Sequence, residues 1–225
     1  DSGVNGDFDV VIDGGGFGSF KLQTSPGLLM LTADHLDREE RHTYEVVIKA
    51  TDKGTPSLQT TKNLTVIILD ENDNSPSFTK LLYTKSIAEN VGIDSYILSV
   101  KAIDPDNGVN GSVSYRIESQ TGGNLFKISS SGSISNLKKL DAEINEFHVL
   151  NVSASDGANP SLSSFTVVNI TVTDVNDVAP VFTSGATARV AEDQTAAYTP
   201  VVTDVDGGTL AYTISGTDAG LFDIS

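Results

Sequence analysis

The chain has 225 residues, a formal net charge of −16, three histidines, and neither cysteine nor tryptophan. That acidity makes nucleic acid and anionic membrane surfaces poor partners, and the lack of cysteine removes disulfide frameworks and zinc–thiolate centres. No apolar run approaches 18 residues and no stretch reads as a signal peptide, so direct membrane insertion is not expected of this segment.

In chain order, Phe8-Asp9-Val10-Val11-Ile12 predicts a first strand, followed by strands at 20–22, 27–31, 44–50 and 61–69. The Gly14-Gly15-Gly16-Phe17-Gly18 tract lacks the Lys-Ser/Thr ending of a phosphate loop and opens no helix, so it reads as a strand connection. Next comes Asp70-Glu71-Asn72-Asp73-Asn74-Ser75-Pro76, an acidic heptad at the exit of a strand. Beyond it, strands are expected near 81–83, 97–103, 113–117, 126–129, 132–135, 147–154 and 164–173, separated by turn residues and with no helix. Seven short strands around one alternating core predict an all-β, seven-stranded Greek-key β-sandwich. A second heptad, Asp174-Val175-Asn176-Asp177-Val178-Ala179-Pro180, is followed by expected strands at 181–182, 201–202, 212–214 and 222–224.

The chain repeats itself at offsets near 104 residues. Asn5-Gly6 recurs as Asn110-Gly111, and Leu36-Asp37-Arg38-Glu39 as Leu140-Asp141-Ala142-Glu143. Ala50-Thr51-Asp52 recurs as Ala154-Ser155-Asp156, each followed by a Gly and then Pro-Ser-Leu. The heptads therefore mark the ends of sandwich-sized repeats, giving domains at 1–74, 75–178 and 179–225. By this alignment the first lacks its opening strands and the third its closing ones. The whole reads as a piece of a longer chain, with any secretion signal or anchor outside it.

Carboxylates crowded this closely repel one another, by about 4 kcal/mol for a pair ~4 Å apart at an effective dielectric near 20. A hard cation relieves that repulsion, and oxygen ligands without sulfur or imidazole point to calcium. Calcium takes six to eight oxygens, more than one of these loops supplies, so the acidic motifs must converge where successive repeats meet. For the first junction the candidates are Asp37, Glu39, Asp70, Asn72, Asp73, Asp104, Asp106 and Asp156, with carbonyls of Glu71, Asn74 and Asn110. For the second they are Glu89, Asp141, Glu143, Asp174, Asn176, Asp177, Asp204 and Asp206. An EF-hand shares the opening Asp70-x-Asn72-x-Asn74 spacing, but Ser75 replaces its glycine, Leu81 its final glutamate, and strands flank it.

Catalysis has little support. The three histidines are scattered, with His35 and His42 expected on exposed edges, and no Gly-x-Ser-x-Gly elbow appears. Asn63-Leu64-Thr65, Asn151-Val152-Ser153 and Asn169-Ile170-Thr171 fit the glycosylation sequon of a glycoprotein. Asn110-Gly111-Ser112 fits too, but its expected calcium role argues against a glycan.

Taken as a set, these motifs resemble the tandem extracellular repeats of the cadherin family, over essentially the whole chain. The resemblance implies an immunoglobulin-like sandwich, three calcium ions per junction, and a non-enzymatic role in calcium-dependent cell adhesion. It places the segment outside the cell, in a membrane-anchored ectodomain, with other such ectodomains as homophilic or heterophilic partners. Carried over, Glu89 would bridge two ions, Asp106 would link a middle ion to a third, and Asp104, Asn72 and Asp156 would hold that third ion. Asp1, Asn5 and Asp52 look like half of an earlier junction, and the counterpart of Glu89 for the first junction lies upstream of residue 1. At the second junction Val178 replaces the last amide, and Gly207-Gly208 stands where Asn-Gly is expected, which weakens the third site there. That last stretch also resembles the cadherin-like repeats of bacterial surface proteins. The alternative reading is therefore a calcium-stiffened stalk or carbohydrate-binding module of a bacterial surface or secreted protein, with glycan as partner.

Overall fold

A computed structural model describes residues 8–14, 20–23, 28–31, 36–192 and 198–224. Asp1, Asn5, His35 and the glycine tract beyond Gly14 lie outside the described residues. The chain divides into two compact units, one of Asp1–Ser77 with Ile103–Val113 and Ser155–Ser163, the other of Phe78–Ala102, Ser114–Ala154 and Ser164–Ser225.

In the first unit, Phe8–Gly14, Thr43–Asp52 and Gln59–Ile67 form an antiparallel sheet with Thr43–Asp52 in the centre. Alternation and β-branched residues favour the pleated conformation here. Val46 is fully buried, and the Phe20 ring meets Tyr44 edge-on at 5.4 Å, a geometry that suits the ring quadrupoles. Phe20–Gln23 and Leu28–Leu31 make a separate antiparallel pair.

The second unit holds the sandwich. One sheet has the order Ser114–Gln120, Phe147–Ser155, Ser163–Thr173, Leu82–Ala88; the other has the order Phe126–Ile128, Ser133–Asn136, Tyr96–Ser99. Along Phe147–Ser155, His148, Leu150 and Val152 are buried while Phe147, Val149 and Asn151 face solvent, as expected for a sheet with one wet face. Leu150, Val152, Val168, Ile170 and Val172 pack with Ile97, Phe126 and Ile134 into one apolar core. His148 is also inside, edge-on to Phe126 at 5.2 Å. Leu82–Ala88 runs parallel to Ser163–Thr173, in register from Leu82↔Val167 to Ala88↔Thr173.

The expected strand at 97–103 is interrupted after Ser99, where Val100 N–H bonds to the Gly132 carbonyl. Gly132 has φ +83°, and a Cβ there would sit 2.4 Å from the Val100 oxygen, so the approach requires glycine. In the last segment, Val181–Phe182 pairs with Val202–Thr203. The strands expected at 212–214 and 222–224 are not formed; the described chain there is irregular, with a 3₁₀ turn at Ala219–Leu221. The physical reason is pairing. In the sandwich the corresponding strand Ser114–Gln120 is held by Phe147–Ser155, and an isolated strand has no ladder to join.

Candidate metal centres

The first acidic cluster lies within the first unit. Carboxylate oxygens of Glu39, Asp70 and Asp106 come within 4.8 Å of one another. Asp37 caps its own turn, its Oδ1 accepting the N–H of Glu39 at 2.8 Å and of Glu40 at 3.0 Å, a local bond typical of aspartate at turns. Asp106 is buried and accepts Asn74 Nδ2 at 2.8 Å and Asn74 N–H at 3.2 Å. Its own N–H donates to Asp104 Oδ1 at 3.0 Å, while Asp104 Oδ2 is buried without a donor. Asn72 donates Nδ2 to the Pro160 carbonyl at 3.1 Å and leaves its buried Oδ1 unpaired. Asp156, only 4 % exposed, takes Ala158 N–H and Leu162 N–H on its two oxygens. Asp52 holds Gly54 N–H and Leu58 N–H through Oδ1 in the matching loop of the repeat before.

Asn110 is fixed by donating Nδ2 to Asp70 Oδ2 at 2.8 Å. A Cβ on Gly111 would fall 2.0 Å from the Asp106 carbonyl oxygen, so the Asn-Gly step is dictated by backbone crowding beside Asp106. Gly157 N–H bonds to the Val109 carbonyl at 3.1 Å, and a Cβ on Gly157 would lie 2.8 Å from that oxygen. Asp73 Oδ1 accepts Asn74 Nδ2 at 2.8 Å, and Glu71 is exposed.

The second cluster lies within the second unit and is more anionic in its contacts. Glu89 is 5 % exposed; its oxygens accept Ala142 N–H and Val175 N–H, both at 2.7 Å. Glu89, Glu143 and Asp177 bring carboxylate oxygens within 4.8 Å, and so do Glu143, Asp174 and Asp206. Asp141 Oδ1 accepts Ile144 N–H at 2.8 Å. Asp206 Oδ2 accepts the N–H groups of Asp177 and Val178, both at 2.7 Å. Asp206 Oδ1 and Asp204 Oδ1 are buried without donors, and Asn176 is exposed.

The electrostatics follow from these surroundings. Burial, together with the charges of Asp106, Asp156 and Asp70, holds the Asp104 carboxyl above its usual range despite the bond from Asp106 N–H. Burial and the charges of Glu89 and Asp174 raise Glu143, and burial with Glu89, Asp206, Asp141 and Asp174 raises Asp177. Burial acts the same way on Asp70 but is outweighed by donors from Asn107 and Asn110 and by the Arg38 charge, so Asp70 is lowered. At Asp156 burial is outweighed by donors from Leu162, Asn72, Ala158 and Ser161.

A buried oxygen without a donor is costly. Here four such oxygens are on candidate ligands, Asn72, Asp104, Asp204 and Asp206. Oxygen-only donors left open in this way fit a hard divalent cation and not a proton-transfer or thiolate centre. Sequence reasoning brought these residues together but missed Arg38, which sits 2.6 Å from both Asp70 and Glu39. Its only signal was its place inside the Leu-Asp-Arg-Glu motif.

A family profile described as the cadherin domain matches residues 1–69 and 83–173. Protocadherin-19 of Danio rerio is 36% identical over 242 aligned residues, covering 100% of this chain and 22% of that protein. The Fat-like cadherin-related tumor suppressor homolog of Drosophila melanogaster is 37% identical, covering 99% of this chain and 5% of its own length. The chain thus spans a small part of the curated relatives it matches. Among solved structures, mouse cadherin-23 EC22-24 superposes with a TM-score of 0.79 at 29% identity, covering 92% of this chain and 68% of that one. The protocadherin gammaB4 extracellular domain gives 0.75 at 32% identity, covering 92% and 35%. These animal relatives align through the last segment as well, and the bacterial stalk or carbohydrate-binding alternative finds no support. The chain belongs to the cadherin domain family, the non-enzymatic extracellular repeats of cell-adhesion ectodomains.

Proposed function

We propose that the two acidic clusters are calcium sites that stiffen the connections between repeats bounded at 1–74, 75–178 and 179–225. The observation that carries this reading is the set of buried oxygens without donors at Asn72, Asp104, Asp204 and Asp206. In the first cluster Asp37, Glu39, Asp73 and the Glu71 carbonyl would serve the outer positions. Asp106 would link these to an inner position held by Asn72, Asp104, Asp156 and the carbonyls of Asn74 and Asn110. In the second, Glu89, Asp141, Glu143, Asp174, Asp177 and Asp206 would supply the acidic oxygens, with Asp204 and Asn176 as further candidate ligands.

The chain's own residues prepare the sites. Amides of Ala142 and Val175 fix both oxygens of Glu89, and Asn74 orients Asp106. Such preorganisation lowers the ordering cost of binding. When bound, calcium supplies charge neutralisation and ties loops of successive repeats together. Extracellular modules of this kind bind calcium at roughly 0.1–1 mM. At ~tenfold excess over its dissociation constant each site adds about 1.4 kcal/mol, because only the folded junction binds. The partners proposed are other ectodomains built from the same repeat, homophilic or heterophilic.

Small-angle scattering of the chain in millimolar calcium and then in chelator tests the reading. Extension and stiffening in calcium, reversed on chelation, is the expected outcome. A scattering profile indifferent to calcium sinks it.

A further inference from the structure

We propose that Asn107-Gly108 is a modification site, the step at which this chain deamidates spontaneously, and that the change weakens the first cluster. The second half rests on the calcium reading above; the first does not. Two Asn-Gly steps stand in the Ile103–Val113 stretch of the first unit, Asn107-Gly108 and Asn110-Gly111. An asparagine before glycine is the pair most open to this reaction, because no Cβ shields the nitrogen that attacks and the backbone turns freely. What separates the two steps is the fold around them.

Asn107 and Gly108 are both exposed. Gly108 N–H donates to Asn107 Oδ1 at 2.8 Å. With a carbonyl bond of ~1.2 Å, the side-chain carbon therefore lies within about 4 Å of that nitrogen, close to attack distance. The same bond polarises the carbonyl that is attacked. Gly108 has φ +61° and open space where a Cβ would stand, so no neighbour blocks closure from that side. The leaving nitrogen, Asn107 Nδ2, has no hydrogen-bond partner among the described residues. Asn110 is the opposite case. It is half-buried, its Nδ2 donates to Asp70 Oδ2 at 2.8 Å, and a Cβ on Gly111 would fall 2.0 Å from the Asp106 carbonyl oxygen. Ring closure there must break the bond to Asp70 and move a backbone packed against its neighbour.

The Gly108 nitrogen gives its proton to solvent and attacks Asn107 Cγ. The Cγ–Nδ2 bond breaks, the amide nitrogen takes up a proton and leaves as ammonia, and a cyclic imide closes. Water then opens the imide at either carbonyl, giving aspartate or isoaspartate, the latter being the main product of an unstrained imide. One water enters and one ammonia leaves in all, with no oxidant or reductant. Either product puts a new carboxylate next to Asp106, which lies with Glu39 and Asp70 in the first cluster. Isoaspartate also routes the backbone through the former side chain, adding a methylene before Gly108. Asn107 N–H donates to one oxygen of Asp70 and Asn110 Nδ2 to the other. A longer chain between these two anchors cannot hold both in place.

The test ages the 225-residue chain and its Asn107→Gln variant in warm buffer with chelator. Each Asn-Gly peptide is followed by mass spectrometry, and isoaspartate is read by enzymatic methylation. Asn107 is expected to convert about tenfold faster than Asn110, the rate equivalent of the hydrogen bond that Asn110 must first give up. In denaturant the two should convert at similar rates, which assigns the difference to the fold. No conversion at Asn107 in the folded chain, equal rates, or a faster Asn110 would overturn the proposal. Calorimetry of the aged chains reads the second half. Aged parent is expected to bind calcium several-fold more weakly at one cluster, while aged Asn107→Gln, which keeps the backbone N–H to Asp70, matches its fresh sample. Conversion at Asn107 with affinity unchanged would overturn the effect on the cluster. Should the fresh parent bind no calcium, the calcium reading fails by itself, and mass spectrometry still decides the modification.

Discussion

Asp70 and its copy Asp174 each lie within 4.8 Å of two carboxylates, Glu39 and Asp106 in the first cluster and Glu143 and Asp206 in the second, but Asp70 also meets the Arg38 guanidinium and two asparagines, and Ala142 stands at the arginine's place in the second. The same heptad thus serves two electrostatic designs. One neutralises part of its charge internally and keeps its loops in place by hydrogen bonds. The other leaves carboxylates against carboxylates, with Glu143 and Asp177 both holding protons more tightly than usual. Order in the second cluster should therefore depend more on an added cation than order in the first.

The largest effect expected on this contrast comes from Glu89→Gln. It removes a charge from the second cluster and one of the two acceptors used by Ala142 and Val175. Calcium affinity there should fall about a hundredfold, as for an acceptor and charge lost together, while the first cluster is untouched. Calorimetry separates the two, and a uniform loss over both would break the comparison. Gly111→Ala comes next. Its Cβ would lie 2.0 Å from the Asp106 carbonyl, so the loop must move; a stability loss of about 1–3 kcal/mol, as for overpacking, should appear as a lower melting temperature in calcium.

Acidity sharpens the same contrast more gently. Glu143, Asp177 and Asp104 have raised proton affinity in the fold, so without calcium acid favours the folded form, and their contribution declines as pH rises above the ordinary carboxylate range. Asp70 and Asp156 are lowered, so the stability they add is present above that range and lost as pH falls through their own folded values. Calcium must displace protons from the raised group. The second cluster holds two such carboxyls, Glu143 and Asp177, and the first holds one, Asp104, so affinity should weaken more steeply at the second as solutions are taken from neutrality toward pH ~4–5, read by calcium titration at each pH.

The smallest effect belongs to the sequons. Asn63 is exposed, whereas Asn110 has its Nδ2 engaged by Asp70. Secretion from eukaryotic cells should give a glycan on Asn63 and none on Asn110 by mass spectrometry, and Asn63→Gln should leave calcium affinity unchanged.

The sandwich was legible because its strands alternate over most of their length. Residues 147–152 and Ser163–Thr173 read outward and inward in turn, and Leu150, Val168 and Ile170 are buried as that pattern requires. The residues at 212–214 and 222–224 alternate too, but a strand also needs a partner, and pairing is not a local property. The acidic motifs were legible because oxygen density is a matter of composition. Which oxygens stay open was not, because that depends on donors from distant loops, such as Asn107 on Asp70 or Asn74 on Asp106. Val178 illustrates the limit. Its side chain departs from the motif, yet its N–H reaches Asp206 as the N–H of Asn74 reaches Asp106. The backbone keeps a role that the side-chain letter hides.

The parallel ladder from Leu82↔Val167 to Ala88↔Thr173 joins the opening and closing strands of the sandwich. Chain enters beside Leu82 and leaves beyond Thr173, at opposite ends of that ladder. A pull on the two ends therefore slides the strands along each other, and the hydrogen bonds of the ladder are loaded together instead of one after another. A repeat built this way resists tension in shear.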